Sequence, residues 1–411
     1  MSNYADKAQA EKILSQAKDR GLSVETILSD LKNLHIETPS WAFADSGTRF
    51  GKFYQNSAAS TIEEKISDAA MVHKVCGICP TVAVHVLWDF PKGADPKIVK
   101  YAEKLGVKIG AINPNVFQDQ CYKFGSLTNK DEKIRKQAIK HCIDSVKLAK
   151  KLKSDVLSIW LADGTNFPGQ EDVIDRRNRL IDSLQQIHAA MFDGLTLVLE
   201  YKPFEPASYY TDIADWGMSY LLCKKAGNKA KVLVDIGHHY TSQNIEQLVA
   251  WLIEEDMLGG FHFNDRKYAD DDLTTGSIDP YQMFRIFNEI VNARMVRGKN
   301  PKIAYMVDES HTIKLKIEEM IQSVDMIHQI YAKALLVDRK ALRAAQAKSD
   351  IVKAEETLRD AYLTDTRPLI GYVRQQMGIE PDALEAYRAS GYQAKIEKER
   401  GGRKKSSDSY A

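Results

Sequence analysis

Between about residue 37 and residue 310 the chain repeats one unit, a short run of apolar or β-branched residues followed by a charged stretch with helical periodicity. The runs are Ser40–Asp45, Val82–Asp89, Val107–Asn113, Val156–Ala162, Thr196–Lys202, Lys231–Ile236, Gly259–Asn264 and Ile303–Asp308. This alternation is the pattern of parallel strands, because neighbouring parallel strands need a crossover, usually a helix, that returns the chain to the same end of the sheet. Eight such units in roughly 270 residues match a closed (β/α)8 barrel, whereas an open doubly wound sheet more often stops at about six strands. The sequence therefore predicts an α/β fold, a TIM barrel over 37–335, in which the first strand has the weakest pattern.

The flanks read differently. Residues 1–36 contain an amphipathic pattern (AEKILSQAKDRGLSVETILSDLKNL), which predicts an N-terminal helical segment. After the last strand, Ile313–Val337 and Arg339–Leu363 predict two long helices and Pro381 opens a further short one, so that 336–395 forms a helical extension. The end of the chain, 396–411, is polar, basic and Gly/Ser-containing, and predicts a disordered tail.

With 57 Lys and Arg against 56 Asp and Glu, the net charge of +1 provides no overall field to draw in nucleic acid or an anionic membrane. No stretch approaches the ~18 uninterrupted apolar residues of a membrane span, and the N-terminus lacks the apolar core of a secretory signal. A cytoplasmic protein is expected, with neither nucleic acid nor membrane as partner. The cysteines, Cys76, Cys79, Cys121, Cys142 and Cys223, suggest no disulfide framework. Cys76 and Cys79 form a C-x-x-C, but without a second pair at zinc-ribbon spacing they read as buried free thiols.

In a barrel of this kind the active site is built at the C-terminal ends of the strands, so polar residues that end apolar runs need a reason. Glu200 ends the fifth run, Asp235 the sixth, His262 the seventh and Asp308 the eighth, with His238, His239 and Asp265 close by. Unpaired buried carboxylates are costly, and a bound cation is one remedy. A local Lys, such as Lys202 beside Glu200, can neutralise one such acid, but four successive strand ends are better explained by a metal. Three carboxylates and an imidazole suit Mn²⁺, Mg²⁺ or Co²⁺ better than a structural zinc. Asp235 and His238 flank a turn containing Gly237, and the loop after the seventh run holds Asp270, Asp271 and Asp272. Asp270 and Asp272 alternate, so they can face one cation from the same side.

Taken as a set, E-Y-K-P (Glu200–Pro203), V-D-I-G-H-H (Val234–His239), F-H-F-N-D (Phe261–Asp265), the D-D-D loop and V-D-E-S-H (Val307–His311) resemble the bacterial L-rhamnose isomerases of the xylose-isomerase-like barrel superfamily. The resemblance covers roughly residues 37 to 335. It implies a structural metal on Glu200, Asp235, His262 and Asp308, and a catalytic metal on His238, Asp270 and Asp272, with Asp235 as a possible bridge. That makes two divalent ions per subunit, Mn²⁺ foremost, with Mg²⁺, Co²⁺ or Zn²⁺ as alternatives. It further implies that Lys202 bonds a substrate hydroxyl, that His85 binds the sugar and assists ring opening, and that Trp160 and Trp41 form apolar walls. Phe50 would reach a neighbouring subunit's site in a homotetramer. By residue type alone, a strand histidine such as His85 is more often a hydrogen-bonded core residue, and a strand-end tryptophan more often packing than a sugar platform.

Two cations on neighbouring sugar oxygens suit an aldose-ketose isomerisation by a 1,2-hydride shift on the open-chain sugar, with Asp308 at the O1/O2 proton transfer. Neither a dinucleotide fingerprint nor a phosphate-cradling glycine loop is present, which points to an unphosphorylated sugar. A ketose 3-epimerase of the same superfamily is the alternative, followed by a non-catalytic, metal-stabilised binding protein. A DNA-repair endonuclease on the same barrel would need a basic groove, against which the balanced charge argues.

Overall fold

A computed structural model describes residues 3–45, 47–48, 51–91, 93–94, 96–203, 208, 210–268, 272–310 and 313–403. Its centre is a closed barrel of eight parallel strands: β1 (Glu37–Pro39), β2 (Thr81–His85), β3 (Lys108–Asn113), β4 (Val156–Ile159), β5 (Thr196–Glu200), β6 (Ala230–Asp235), β7 (Leu258–Phe263) and β8 (Ala304–Val307). Each strand pairs with its sequence neighbours, and β1 closes the ring by pairing with β2 and β8.

Strand alternation divides the side chains into two sets. Leu197 and Leu199, Val232 and Val234, Phe261 and Phe263, and Val307 pack outward into the helix layer as part of the main core. Ala83, Ala111 and Met306, from three different strands, form a separate small cluster with Trp41 and Val156 against it. Glu200, Asp235, His262 and Asp308 have the opposite parity to the outward set and so project toward the barrel axis.

The first strand is displaced from its expected position. Ser40–Asp45 does not form it; Glu37–Pro39 does, and Ser40–Phe43 is a short 3-10 turn. Its partners are Thr81, Val82 and Ala83, and Pro39, which has no N–H to offer a ladder, stands at its end. The expected second run likewise divides into the strand Thr81–His85 and a single helical turn, Val86–Asp89.

One continuous hydrophobic core runs from Ile13 to Ile396, so the helices before and after the barrel share its core. The expected helix Arg339–Leu363 is two helices, Arg339–Ala347 and Ile351–Leu363. Ser349 at φ 53° breaks the run, and the Asp350 side chain accepts the Lys353 N–H to start the next helix. The expected disordered tail is corrected over its first part: Tyr392–Arg400 is helical and Arg400 is buried, because buried and half-buried carboxylates on an earlier helix receive its charges. Residues 404–411 lie outside the described residues. All five cysteines are free, and burial pushes the Cys76 thiol up to about 12. Among the described residues no helix is long and apolar enough to cross a membrane.

Candidate metal centre at the barrel mouth

Register brings the strand-end residues together. Asp235 pairs with His262 across β6 and β7, Glu200 with Leu233 two residues before Asp235, and Met306 with His262 two residues before Asp308. Glu200, Asp235, His262 and Asp308 each offer one ligand atom, and these atoms lie within 4.8 Å of one another. His262 Nδ1 is the common point, 3.2 Å from Glu200 Oε1, 3.4 Å from Asp235 Oδ2 and 3.4 Å from Asp308 Oδ2.

Two observations test whether this set fits a cation. Among the described residues, His262 Nδ1 and Glu200 Oε1 are buried atoms without a hydrogen-bond partner, and leaving such atoms unsatisfied is expensive. Hard carboxylate oxygens around one imidazole are also the donor set that divalent cations take. The residues therefore fit a divalent metal. Burial pushes the Glu200 carboxyl above its usual range. Burial opposes charge on Asp235 as well, but His238 and His262 outweigh it and bring that carboxyl down to about 2. The same burial works against a charged His262, yet Glu200, Asp235 and Asp308 hold it well above the ordinary imidazole value.

A second ring of hydrogen bonds aims these ligands. Asp235 Oδ1 accepts from the Gly237 N–H at 2.6 Å and from Asn264 Nδ2 at 2.9 Å, and Oδ2, which accepts from the same Nδ2 at 3.2 Å, faces His262 Nδ1 at 3.4 Å. Asn264 Nδ2 also donates to the Asp308 carbonyl at 3.3 Å. Trp41, expected only as an apolar wall, donates its Nε1–H to Asp308 Oδ1 at 3.0 Å. Such partners fix ligand orientation and tune metal affinity.

The cluster sits in a cavity of about 610 Å³ lined by all the expected described residues except Asp235: Trp41, His85, Trp160, Glu200, Lys202, His238, His262, Asp272 and Asp308. His238 Nδ1 is 3.0 Å from the Tyr201 carbonyl and 3.3 Å from Glu200 Oε1. Its neighbour His239 goes elsewhere: it bonds the Tyr201 hydroxyl at 2.6 Å, and burial drives it down to about 3, a neutral core histidine. Asp272, at φ 47°, reaches the cavity from the loop after β7. Asp270, Asp271, Phe50 and His311 lie outside the described residues.

The opposite wall is aromatic. The His85 ring lies 4.6 Å from Trp41 and 4.1 Å from Trp88, and Phe117 bridges to Trp160 at 5.0 Å, all between centroids. Burial pulls His85 down to about 3, so it is neutral at working pH. Lys202 Nζ stands 5.2 Å over the Trp160 ring. Sequence reasoning missed Lys65, Trp88, Asn113, Phe117 and Ser158. Asn113 and Trp88, late in apolar runs, had the same signal as Asp308, whereas Lys65, in a helix, had none.

The xylose isomerase-like TIM barrel family model matches residues 81–295. A protein named as a probable sugar isomerase of Mesorhizobium japonicum is 40% identical over 387 residues, 93% of this chain and 89% of its own. Another of that name, from Rhizobium meliloti, is 41% identical over 389 residues, 93% of this chain and 90% of its own. Among solved structures, an L-ribulose 3-epimerase shares the fold with a TM-score of 0.52 at 13% identity, covering 78% of this chain and 98% of its own. With a family match over more than half its length and relatives of this identity over nearly all of it, the chain belongs to the xylose isomerase-like TIM barrel family.

Proposed function

We propose that this protein is a metal-dependent aldose-ketose isomerase that converts L-rhamnose to L-rhamnulose, working in the cytoplasm as a homotetramer. The observation that carries this reading is the convergence of four ligating strand ends in a cavity that also holds His238, Asp272, Lys202 and an aromatic wall. The names of the two relatives support isomerisation, and the motif set supports the sugar.

Glu200, Asp235, His262 and Asp308 would hold one divalent ion, and His238, Asp270 and Asp272, with Asp235, a second. When bound, these ions supply Lewis acidity to neighbouring sugar oxygens. The chain's own residues do the rest. Lys202 donates to a substrate hydroxyl and stabilises charge on that oxygen. His85, neutral and with a buried Nδ1 that meets no hydrogen-bond partner among the described residues, bonds the sugar and assists ring opening. Trp41 holds Asp308 in place for the proton passed from O2 to O1, while the faces of Trp41 and Trp160 exclude water. The hydrogen on C2 moves to C1 with its electron pair. Glu309, the carboxylate beside Asp308, takes no part: it is fully buried and accepts from Thr275 and Ser323.

The test is turnover of L-rhamnose and a panel of free aldoses, followed by NMR, with protein stripped by EDTA and reloaded with Mn²⁺, Mg²⁺, Co²⁺ or Zn²⁺, together with metal counting. Ketose formation restored by metal at two ions per chain is expected. Products epimeric at C3 of a ketose would replace this reading with an epimerase, and tight metal binding without turnover of any sugar would make the protein a binding module.

A further inference from the structure

The segment Tyr392–Arg403 lies against the loop that follows β1 and the helix beyond it. The helix Tyr392–Arg400 is polar in composition, yet Arg400 is 4% exposed and Asp68, in the helix Ile62–Cys76, is 1% exposed. Arg400 Nη1 donates to Asp68 Oδ2 at 2.7 Å and to the Ser57 carbonyl at 2.7 Å, and Nη2 donates to Asp68 Oδ1 at 2.9 Å. The Tyr392 hydroxyl donates to the same carboxylate at 3.0 Å, and Arg403 binds Glu64 and the Ser60 hydroxyl. A guanidinium with a bidentate carboxylate and a carbonyl is a geometrically specific clamp. It joins residues 343 positions apart, Ser57 and Arg400.

What the clamp grips leads directly to the cavity. In the loop, the Ala59 N–H donates to the Phe43 carbonyl at 2.9 Å and the Gln55 N–H to Asp45 Oδ1 at 2.8 Å, and Ala44 and Asp45 line the cavity. In the helix, Lys65 lies one turn before Asp68. Its Nζ donates to Asp89 Oδ1 at 2.6 Å, while Asp89 Oδ2 accepts from the Ser40 hydroxyl at 2.6 Å and from the His85 backbone N–H at 2.8 Å. Lys65, Asp89 and Ser40 are all buried. One guanidinium thus fastens both the loop wall and the helix that braces His85.

We propose that the C-terminal helix is a positioning element of the site: Arg400, through Asp68 and the Ser57 carbonyl, sets the placement of the wall formed by Ala44, Asp45 and His85. The placement itself stands independently of the reaction, and its effect on a sugar rests on the isomerase reading above. The candidate metal ligands stand at the ends of β5 to β8 and meet this wall through the Trp41 N–H on Asp308, so loosening the wall weakens substrate affinity more than metal binding or the chemical step.

Full-length Arg400→Gln and Arg400→Lys are compared with the parent by hydrogen exchange, by Mn²⁺ titration calorimetry and by steady-state kinetics. In Arg400→Gln, faster exchange is expected in peptides covering 53–61 and 85–90, with a rise in KM of about 2- to 30-fold, and kcat and Mn²⁺ affinity each within about twofold. Arg400→Lys keeps a charge beside Asp68 but loses the fork, and should lie between. If Arg400→Gln does not fold, Arg400→Lys decides the matter by the same readouts. Exchange altered only within 392–403, or KM, kcat and Mn²⁺ affinity failing together, would overturn the proposal. Should the parent turn over no aldose, the isomerase reading fails, and exchange at 53–61 and 85–90 still decides the placement.

Discussion

Replacing Glu200 with Gln separates a ligand to a cation from a structural carboxylate. Among the described residues Glu200 Oε1 makes no hydrogen bond and its polar neighbours are the Nδ1 atoms of His262 and His238 at 3.2 and 3.3 Å, so the amide gives up charge interactions rather than a hydrogen bond at that atom. A cation that binds only the folded chain stabilises it by ~2.7 kcal/mol at 100 times Kd and by ~4.1 kcal/mol at 1,000 times. At an unfolding entropy of ~2.1 cal/mol/K per residue, 411 residues give ~0.86 kcal/mol/K, so saturating Mn²⁺ raises the parent's Tm by ~3 to 5 °C. A roughly 100-fold loss of affinity, starting from metal at 100 times Kd, leaves ~0.4 kcal/mol and a gap of ~0.5 °C. Without metal the sign reverses, because burial penalises the Glu200 charge more than His262 and His238 favour it, and the amide has no charge to bury. Scanning calorimetry of both proteins in EDTA and in Mn²⁺ should therefore show curves that cross: the variant melts higher than the parent without metal and lower with it. A metal-dependent gap of unchanged size, or a variant several degrees less stable in EDTA, would show that the protein rather than a cation satisfies Glu200.

Three further outcomes are expected. His238→Ala should abolish isomerisation, by more than about 100-fold in kcat, while circular dichroism shows the barrel intact; full activity would remove the second ion from the mechanism. Glu37, whose carboxylate accepts the Ala111 N–H at 3.1 Å, is pushed by burial from an ordinary 4.5 to about 7. The folded state thus holds its proton more tightly than the unfolded state, and ionisation costs stability as pH rises from about 4.5 to 7, by up to ~3 kcal/mol. Glu37→Gln keeps the acceptor and removes that slope, so the parent's Tm should fall by up to ~4 °C relative to the variant between pH 4.5 and 8; parallel pH profiles would refute this. Turnover in D₂O should leave the ketose carbons essentially free of deuterium, because a hydride shift carries the C2 hydrogen directly to C1; stoichiometric label at C1 would replace the hydride route with proton abstraction.

The barrel and most of its candidate ligands were legible because both follow from local periodicity. A period of two decides which side chains face the axis, and Glu200, Asp235 and His262 fall on that face whatever the distant chain does. The first strand was misplaced because W-A-F-A alternates like a strand, whereas the ladder formed three residues earlier, where Glu37, Thr38 and Pro39 meet Thr81, Val82 and Ala83. The end of the chain was misread for a related reason: a basic run ordinarily stays in water, and here the carboxylates of Asp68 and Glu64, with the Ser57 carbonyl and the Ser60 hydroxyl, hold Arg400 and Arg403 on the protein.

The sequence by itself determined the eight-unit rhythm, the strand-end donor set and the absence of a dinucleotide or phosphate loop, since each is a matter of residue type and spacing over a few positions. Only the tertiary structure decided that the Trp41 N–H holds Asp308, that Lys65 braces His85 through Asp89, that His239 turns to Tyr201 while His238 faces the cavity, and that the chain's last helix grips the loop after its first strand. Apart from the His85–Asp89 bond, these contacts join residues tens to hundreds of positions apart. Their partners are set by how helices and loops pack on the closed barrel, and no periodicity along the chain records that packing.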